Sequence, residues 1–428
     1  MSSPYPGAPG RQREIYLTGI GGQKPLVPVA FDALEAAARR HMSKEAFAYI
    51  AGSAGQELTA QRNTQAFAQW RIVPRMLRNV EQRDTSTSLL GMQLPSPFIL
   101  SPIGVLEMAH KQADIGVAAA AASLGVPMTF SNQASVPMEQ VAAQMGNSPR
   151  LFQLYWSKND ALVVSLLQRA EAAGCKAIVI TLDTTILGWR TRDLDLAYLP
   201  FLRGLGIAQY TSDPVFNELL EQPETEGPAP KQRITLRTVK YLLGLMRRYP
   251  GGTLSNLKTK RPLKAVRTFI NIYSRPSITW ADLPFIRQHT QLPILLKGIL
   301  HPDDAQKAID HGMDGIVVSN HGGRQVDGSI SAIEALPGIV DQVQGQVPIV
   351  IDSGIRTGAD AFKALALGAT AVGLGRPYCY GLAIGGSAGV AAVLKNFMAD
   401  FELTMGLAGC KAVNEINREM LATIPGSQ

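Results

Sequence analysis

Seven consecutive residues, Ser319-Asn320-His321-Gly322-Gly323-Arg324-Gln325, combine a proton acceptor, a fixed cation and two adjacent glycines. An imidazole titrates near neutrality and can take a proton from a substrate. The guanidinium stays charged, and glycines let backbone approach a ligand closely. The apolar run 315–318 leads straight into this stretch and reads as a short buried strand. The heptapeptide therefore sits where a strand ends. Taken alone, the pattern also suits a polar turn whose histidine is satisfied by its neighbours.

Other side chains extend the chemistry. A carboxylate such as Asp183 can stabilise the imidazolium that forms on His321. Arg190 and Arg324, with Tyr49, suit a substrate carboxylate. Together they describe oxidation of a 2-hydroxy acid. Gly354, Arg356, Gly375 and Arg376 resemble a phosphate cradle, in which glycine backbones and guanidinium groups meet phosphate oxygens. Ser131, Gln153 and Thr181 are neutral hydrogen-bonding groups suited to the polar edge of a ring. Lys297 ends an apolar run, and a buried ammonium needs negative charge nearby. The N1 region of a reduced flavin would supply it, and so would a carboxylate such as Asp183. No Gly-x-Gly-x-x-Gly pattern follows a strand, which argues against a nicotinamide cofactor.

These residues need a scaffold that brings distant strand ends together. Eight short apolar runs recur, at 98–100, 127–130, 151–154, 177–180, 293–296, 315–318, 348–351 and 371–374. Stretches of helical length lie between most of them, such as 114–124 and 161–173. The starts fall 22 to 33 residues apart, with one gap of 116. That spacing indicates βαβ units. Eight of them point to an α/β fold, a TIM (β/α)8 barrel with a long insertion after strand 4. A doubly wound open sheet is the competing arrangement. In a barrel the functional residues gather at the C-terminal ends of the strands, with phosphate bound after strands 7 and 8. The candidates named above lie at such ends.

The 428 residues, 46% hydrophobic and 18% charged, suit one large core. Residues 1–27 read as an N-terminal arm, 28–428 as the barrel domain, and about 193–276 as a basic lid or insertion. Net charge is +7, but residues 227–275 hold twelve Lys/Arg and no Asp or Glu, so the remainder carries −5. The basic character is thus local. Leu236, Val239, Leu243 and Met246 are expected on one helical face there, with Arg237, Lys240 and Arg248 away from it. A lid or subunit-interface helix is the expectation, with a membrane-surface contact as the alternative. Nucleic-acid binding lacks any accompanying motif. Cys175, Cys379 and Cys410 show neither a disulfide framework nor metal-ligand spacing, so no metal is expected and a reducing, cytoplasmic setting is. The first ten residues lack a signal-peptide core, no apolar run is long enough to cross a bilayer, and the last three are not a peroxisomal address.

The heptapeptide, with Lys297-Gly298, Asp352-Ser353-Gly354-Ile355-Arg356, Gly375-Arg376-Pro377 and Phe401-Glu402-Leu403-Thr404-Met405, resembles the FMN-dependent L-2-hydroxy-acid oxidases and dehydrogenases. The resemblance covers roughly residues 28–205 and 275–420. It implies FMN as cofactor, a small 2-hydroxy acid and O2 as partners, and a homotetramer or homo-octamer. It implies His321 as base assisted by Asp183, with Arg190, Arg324 and Tyr49 on the substrate carboxylate and Tyr155 on its hydroxyl. Lys297 would face flavin N1 and the Gly104 backbone would lie beside N5. Ser131, Gln153, Thr181, Ser319, Asp352, Gly354, Arg356, Gly375 and Arg376 would complete the FMN site.

Within the family, Ser101-Pro102-Ile103-Gly104 and the phrases 188–194, 201–205 and 212–216 are similar to the lactate 2-monooxygenases. That likeness implies L-lactate oxidation with decarboxylation to acetate, CO2 and water. A simple oxidase releasing 2-oxo acid and H2O2, or a membrane-surface dehydrogenase reducing a quinone, are the alternatives. Gln133 departs from the pattern, standing where family members often carry a larger apolar or aromatic residue. The insertion is also longer and more basic than in the bacterial monooxygenases.

Overall fold

The computed structural model describes residues 5–223 and 235–423. Eight parallel strands close into a barrel in chain order. They are β1 (Phe98–Leu100), β2 (Met128–Phe130), β3 (Arg150–Leu154), β4 (Ile178–Thr181), β5 (Ile294–Ile299), β6 (Gly315–Val318), β7 (Ile349–Ile351) and β8 (Ala371–Leu374). All eight expected runs are strands, with ends shifted by a few residues at most. They read as continuous apolar runs because a barrel strand is covered on both faces, by the interior and by the outer helices.

Side chains of a strand alternate between its faces. Ile99, Leu151, Val179, Leu295, Val317 and Val350 share one interior cluster low in the barrel. Two residues further along, the same faces present Ser101, Gln153, Thr181, Lys297, Ser319 and Asp352. A period of two thus converts an apolar floor into a polar rim within one turn of the pleat.

The floor is closed by an element that the strand spacing did not reveal. The strands Thr87–Leu89 and Met92–Leu94 form an antiparallel hairpin, and Leu89, Met92 and Leu94 join the interior cluster. A second unforeseen pair joins Trp70–Ile72 to Leu421–Thr423. The expected N-terminal arm contains a helix, Gly7–Ile20, docked on the C-terminal helix Arg376–Leu407. Ala8 N and Tyr5 Oη donate to the buried Glu402, which also pairs with Arg83 at 2.9 Å. Residues 1–4 and the C-terminal 424–428 lie outside the described residues.

Arg376–Leu407 is apolar and long enough to cross a membrane, contrary to the reading of the sequence. Its composition reflects the core instead. Of its most apolar window 56% is buried, Gly385 and Gly386 break it, and Phe397 and Phe401 pack edge-on against Phe98.

The insertion after β4 is mostly helical, including Leu236–Arg248 and Arg261–Ile272. Its apolar face differs from the expected one. Leu245 (1% exposed), Met246 and Tyr249 are buried, whereas Val239 (44%) and Leu243 (39%) are exposed. The helix is rotated because Leu245 seats on Gly204, where a Cβ would meet its Cδ1 at 2.5 Å. Arg248 lies 3.6 Å from Glu107, linking the helix to the loop after β1. Lys231 and Arg233 lie outside the described residues, as do the side chains of Leu236 and Arg237.

If the hairpin is part of the core, Leu94→Ala should cost roughly 2–5 kcal/mol. A urea midpoint unchanged within error would show that the barrel floor is closed without it.

Candidate active site

The strand ends open into a cavity of about 1020 Å3, counted with the part open to solvent. Lys297, Arg190, Arg324, Arg356 and Arg376 line it, against the single carboxylate of Asp352. Among the described residues, then, the lining carries a surplus of positive charge. Such a site requires anionic ligands.

Buried beside the cavity, though not among the residues that line it, is a ladder of neutral groups. Ser131 Oγ donates to Gln153 Oε1 (3.1 Å), and Gln153 Nε2 donates to Thr181 Oγ1 (2.9 Å). Next on the barrel, Lys297 Nζ donates to Ser319 Oγ at 2.7 Å and lies 3.5 Å from Asp352. Its carboxylate partner is therefore Asp352, not Asp183, because Asp183 is engaged elsewhere. Ser101 Oγ also donates to Asp352, at 3.0 Å.

The pair Asp183–His321 spans the ends of β4 and β6, with Asp183 Oδ1 2.8 Å from His321 Nδ1. Gly298 makes this possible. Its φ is +108°, and a Cβ there would lie 2.9 Å from Asp183 Cβ. Burial pushes the Asp183 carboxyl up, but His321 and Lys297 outweigh it and hold the group at about 2. An ionised carboxylate only accepts, so Nδ1 carries the proton and Nε2 is left as the acceptor. Burial lowers the basicity of His321, Asp183 opposes this, and Lys297 adds to it, leaving the imidazole below its ordinary value. His321 also has φ +59°, an uncommon backbone for any residue but glycine. Its N–H, donated to Ser319 Oγ at 3.1 Å, helps to hold that geometry.

Two arginines and Tyr49 form the opposite end. Arg324 lies 5.0 Å and Arg190 6.0 Å from the Tyr49 ring centre. Arg324 Nη1 donates to the carbonyls of Tyr49 (2.6 Å) and Gly52 (2.7 Å). Burial, then Arg190, lower the Arg324 guanidinium to about 9, although Asp193 pulls the other way. The Tyr155 hydroxyl is pushed up by burial and by Asp183, so it remains a donor.

The phosphate cradle is present, but its two arginines differ. Arg356 is half-buried over Phe31, 4.2 Å from the ring centre, and its buried Nε has no hydrogen-bond partner among the described residues. Burial and Arg376 lower it to about 10. A guanidinium with a free, buried donor fits a phosphate. Arg376, in contrast, donates to the carbonyls of Ile50, Gly52 and Gly322 and to Ser53 Oγ, so most of its donors already clamp the surrounding loops. At Gly375 a Cβ would meet only Ile103, at 3.6 Å, so this stretch of backbone stays open to a ligand. Gly354 needs its missing Cβ for packing, since one would overlap the backbone of Asn63. The orphaned Arg356 Nε, the neutral ladder and Lys297 together fit a flavin mononucleotide.

Twelve of the expected site residues line this cavity, whereas Ser131, Gln153, Thr181, Asp183 and Ser319 lie behind the lining. Gly104 lines the cavity, and packing gives a further reason for a glycine there. A Cβ there would lie 2.9 Å from both Cβ and O of Gln133, so the glycine is required by packing against that loop. Several functional residues escaped sequence reasoning. Thr184 Oγ1 donates to Asp183 Oδ1 (2.9 Å) and lies 3.1 Å from His321 Nδ1. Gln325 donates to the carbonyls of Asp183 and Ile186 and accepts from Arg190 Nη2 at 3.2 Å. Their positions directly after Asp183 and Arg324 were the available signal. Phe201 and Tyr273, which wall the cavity from the insertion, carried no signal.

Residues 38–423 match the model of the family described as FMN-dependent dehydrogenase. The chain belongs to that family and uses FMN. It is 40% identical over 414 residues to the FMN-dependent alpha-hydroxy acid dehydrogenase qulF of Penicillium citrinum, covering 96% of this chain and 95% of that one. It is 37% identical to an L-lactate oxidase of Lysinibacillus sphaericus, covering 97% and 98%. A crystal structure of mandelate oxidase with (S)-4-hydroxymandelic acid superposes with a TM-score of 0.76 at 34% identity, covering 93% and 99%. The chain is an FMN-dependent oxidoreductase of the 2-hydroxy-acid oxidase and dehydrogenase group.

Because His321 must be neutral to accept a proton and its pKa lies below 6.5, kcat/KM should be retained at pH 7. It should fall only as pH drops through a value under 6.5. An acid limb centred above pH 7 in a pH–rate profile would contradict this environment.

Proposed function

We propose that this chain is a 2-hydroxy-acid oxidase that passes electrons to O2 and releases the 2-oxo acid and H2O2. The observation that carries the reading is the neutral His321, backed by ionised Asp183 and set opposite Arg190, Arg324 and Tyr49. The oxidase names of the Lysinibacillus sphaericus and mandelate proteins support the acceptor.

Arg190 and Arg324 take the substrate carboxylate and fix the C2 carbon near His321. Two guanidinium groups held by Tyr49, Gly52 and Gln325 lose little freedom on binding. The Tyr155 hydroxyl, kept protonated, orients the oxygen on C2. His321 Nε2 receives the proton lost as C2 is oxidised, and Asp183 stabilises the resulting imidazolium. FMN, when bound, supplies the two-electron acceptor. Arg356 and the backbone at Gly375 would hold its phosphate, Ser131, Gln153 and Thr181 its ring edge, and Lys297 the N1 side. Ser319 and Asp352 hold Lys297 in place. Gly104 would lie beside this ring, and Gly354 and Arg376 would frame the phosphate. Homo-oligomerisation and a cytoplasmic location belong to the same reading, the latter supported by three free, buried cysteines.

A second reading is favoured by the insertion, which places Phe201 and Tyr273 in the cavity wall. If these delay product release, H2O2 attacks the retained 2-oxo acid, giving the shortened acid, CO2 and water. Aerobic turnover of L-lactate separates the two. Equimolar pyruvate and H2O2 are expected. Acetate and CO2 in stoichiometric yield, without free peroxide, would establish the monooxygenase outcome instead.

A further inference from the structure

Gln133 is held rigidly in the cavity wall. Its N–H donates to Ser131 Oγ (3.1 Å) and its carbonyl accepts from Val105 N (2.9 Å). Glycines abut it on two sides. A Cβ on Gly104 would lie 2.9 Å from Gln133 Cβ, and one on Gly206 2.9 Å from Gln133 O. The backbone is therefore satisfied and fixed between the loop after β1 and the insertion.

The side chain is different. Residue 133 is 7% exposed and lines the cavity, yet its amide makes no hydrogen bond to any described residue. An amide that opens on the cavity offers two donors and one acceptor oxygen to a ligand there. The cavity's other regions have their ligands assigned. Cations face the carboxylate, His321 and Tyr155 face C2 and its oxygen, and the ladder faces the flavin. Gln133 and Phe201 both abut Gly206, and with Leu187 and Tyr273 they line the part of the cavity left for the substituent on C2.

From this the geometry points to Gln133 as a specificity-determining residue. It selects 2-hydroxy acids whose C2 substituent bears a neutral hydrogen-bonding group, a hydroxyl or carbonyl one or two bonds out. An apolar substituent of the same size displaces water from the amide and leaves it unpaired. Sites built to hydrogen-bond a substrate hydroxyl discriminate strongly against analogues that lack it. The group is neutral because Gln133 brings no charge to balance a second carboxylate. This inference rests on the proposed 2-hydroxy-acid oxidation.

The test compares L-glycerate with L-2-hydroxybutyrate, which place a hydroxyl or a methyl on C3 in equal volume. In the FMN-loaded enzyme, kcat/KM should favour L-glycerate by about 10-fold or more. Gln133→Met, close in volume, and Gln133→Leu should each erase or reverse that ratio. Binding of hydroxypyruvate against 2-oxobutyrate, read from the flavin absorbance, should shift in the same direction without turnover. A wild-type preference for L-2-hydroxybutyrate overturns the inference, as does a ratio that both variants leave unchanged, while 2-hydroxy-acid oxidation itself stands. If neither these compounds nor L-lactate reduces the flavin, the proposed function fails, and the inference with it.

Discussion

The active site depends on keeping each buried charged group partnered at the top of an apolar barrel interior. Asp183 and His321 meet at 2.8 Å, and Lys297 lies 3.5 Å from Asp352 on the neighbouring wall. A lone buried charge is costly, so the ionised Asp183 is held by the Nδ1–H of a neutral His321, and Lys297 sits against Asp352. The two pairs also influence one another, since Lys297 helps to keep Asp183 ionised and lowers the basicity of His321. A neutral imidazole over a firmly ionised carboxylate is the state that a general base requires.

Beyond these pairs the cavity is strongly cationic, and the surplus divides into two places. Arg356, with a free Nε, lies at the phosphate end. Arg190 and Arg324 crowd the substrate end, where burial and mutual repulsion leave Arg324 at about 9. An anionic cofactor and an anionic substrate each match one part of this cationic lining. Arg376 serves a different purpose, because its hydrogen bonds join the helix that carries Tyr49 to the loop that carries His321. It couples the substrate end to the base through the backbone.

Much of this was legible in the chain because strands alternate with a period of two. Val179 to Thr181, Leu295 to Lys297 and Val317 to Ser319 each step from the apolar floor to the polar rim. Each rim residue stands at the end of a visible apolar run. Thr184, Gln325 and Phe201 were harder to read, because their roles arise from loops meeting across long stretches of sequence. The hairpin Thr87–Leu89 and Met92–Leu94 is too short to announce itself, although it closes the barrel floor. The insertion helix showed its amphipathic period, but the buried side was set by Gly204 receiving Leu245, which periodicity cannot display. Gly104 was visible as a glycine, but its reason lay in Gln133, a neighbour in space.

The most direct test of the charge pairing is the rate of flavin reduction in Asp183→Asn, measured by anaerobic stopped-flow with L-lactate. Removing the carboxylate leaves the imidazolium without its stabilising partner and frees the tautomer of His321. The rate constant at saturation should fall by about 10²-fold or more, while the apparent dissociation constant, set by Arg190 and Arg324, changes far less. A variant that reduces its flavin at the wild-type rate would contradict the central place of the Asp183–His321 pair.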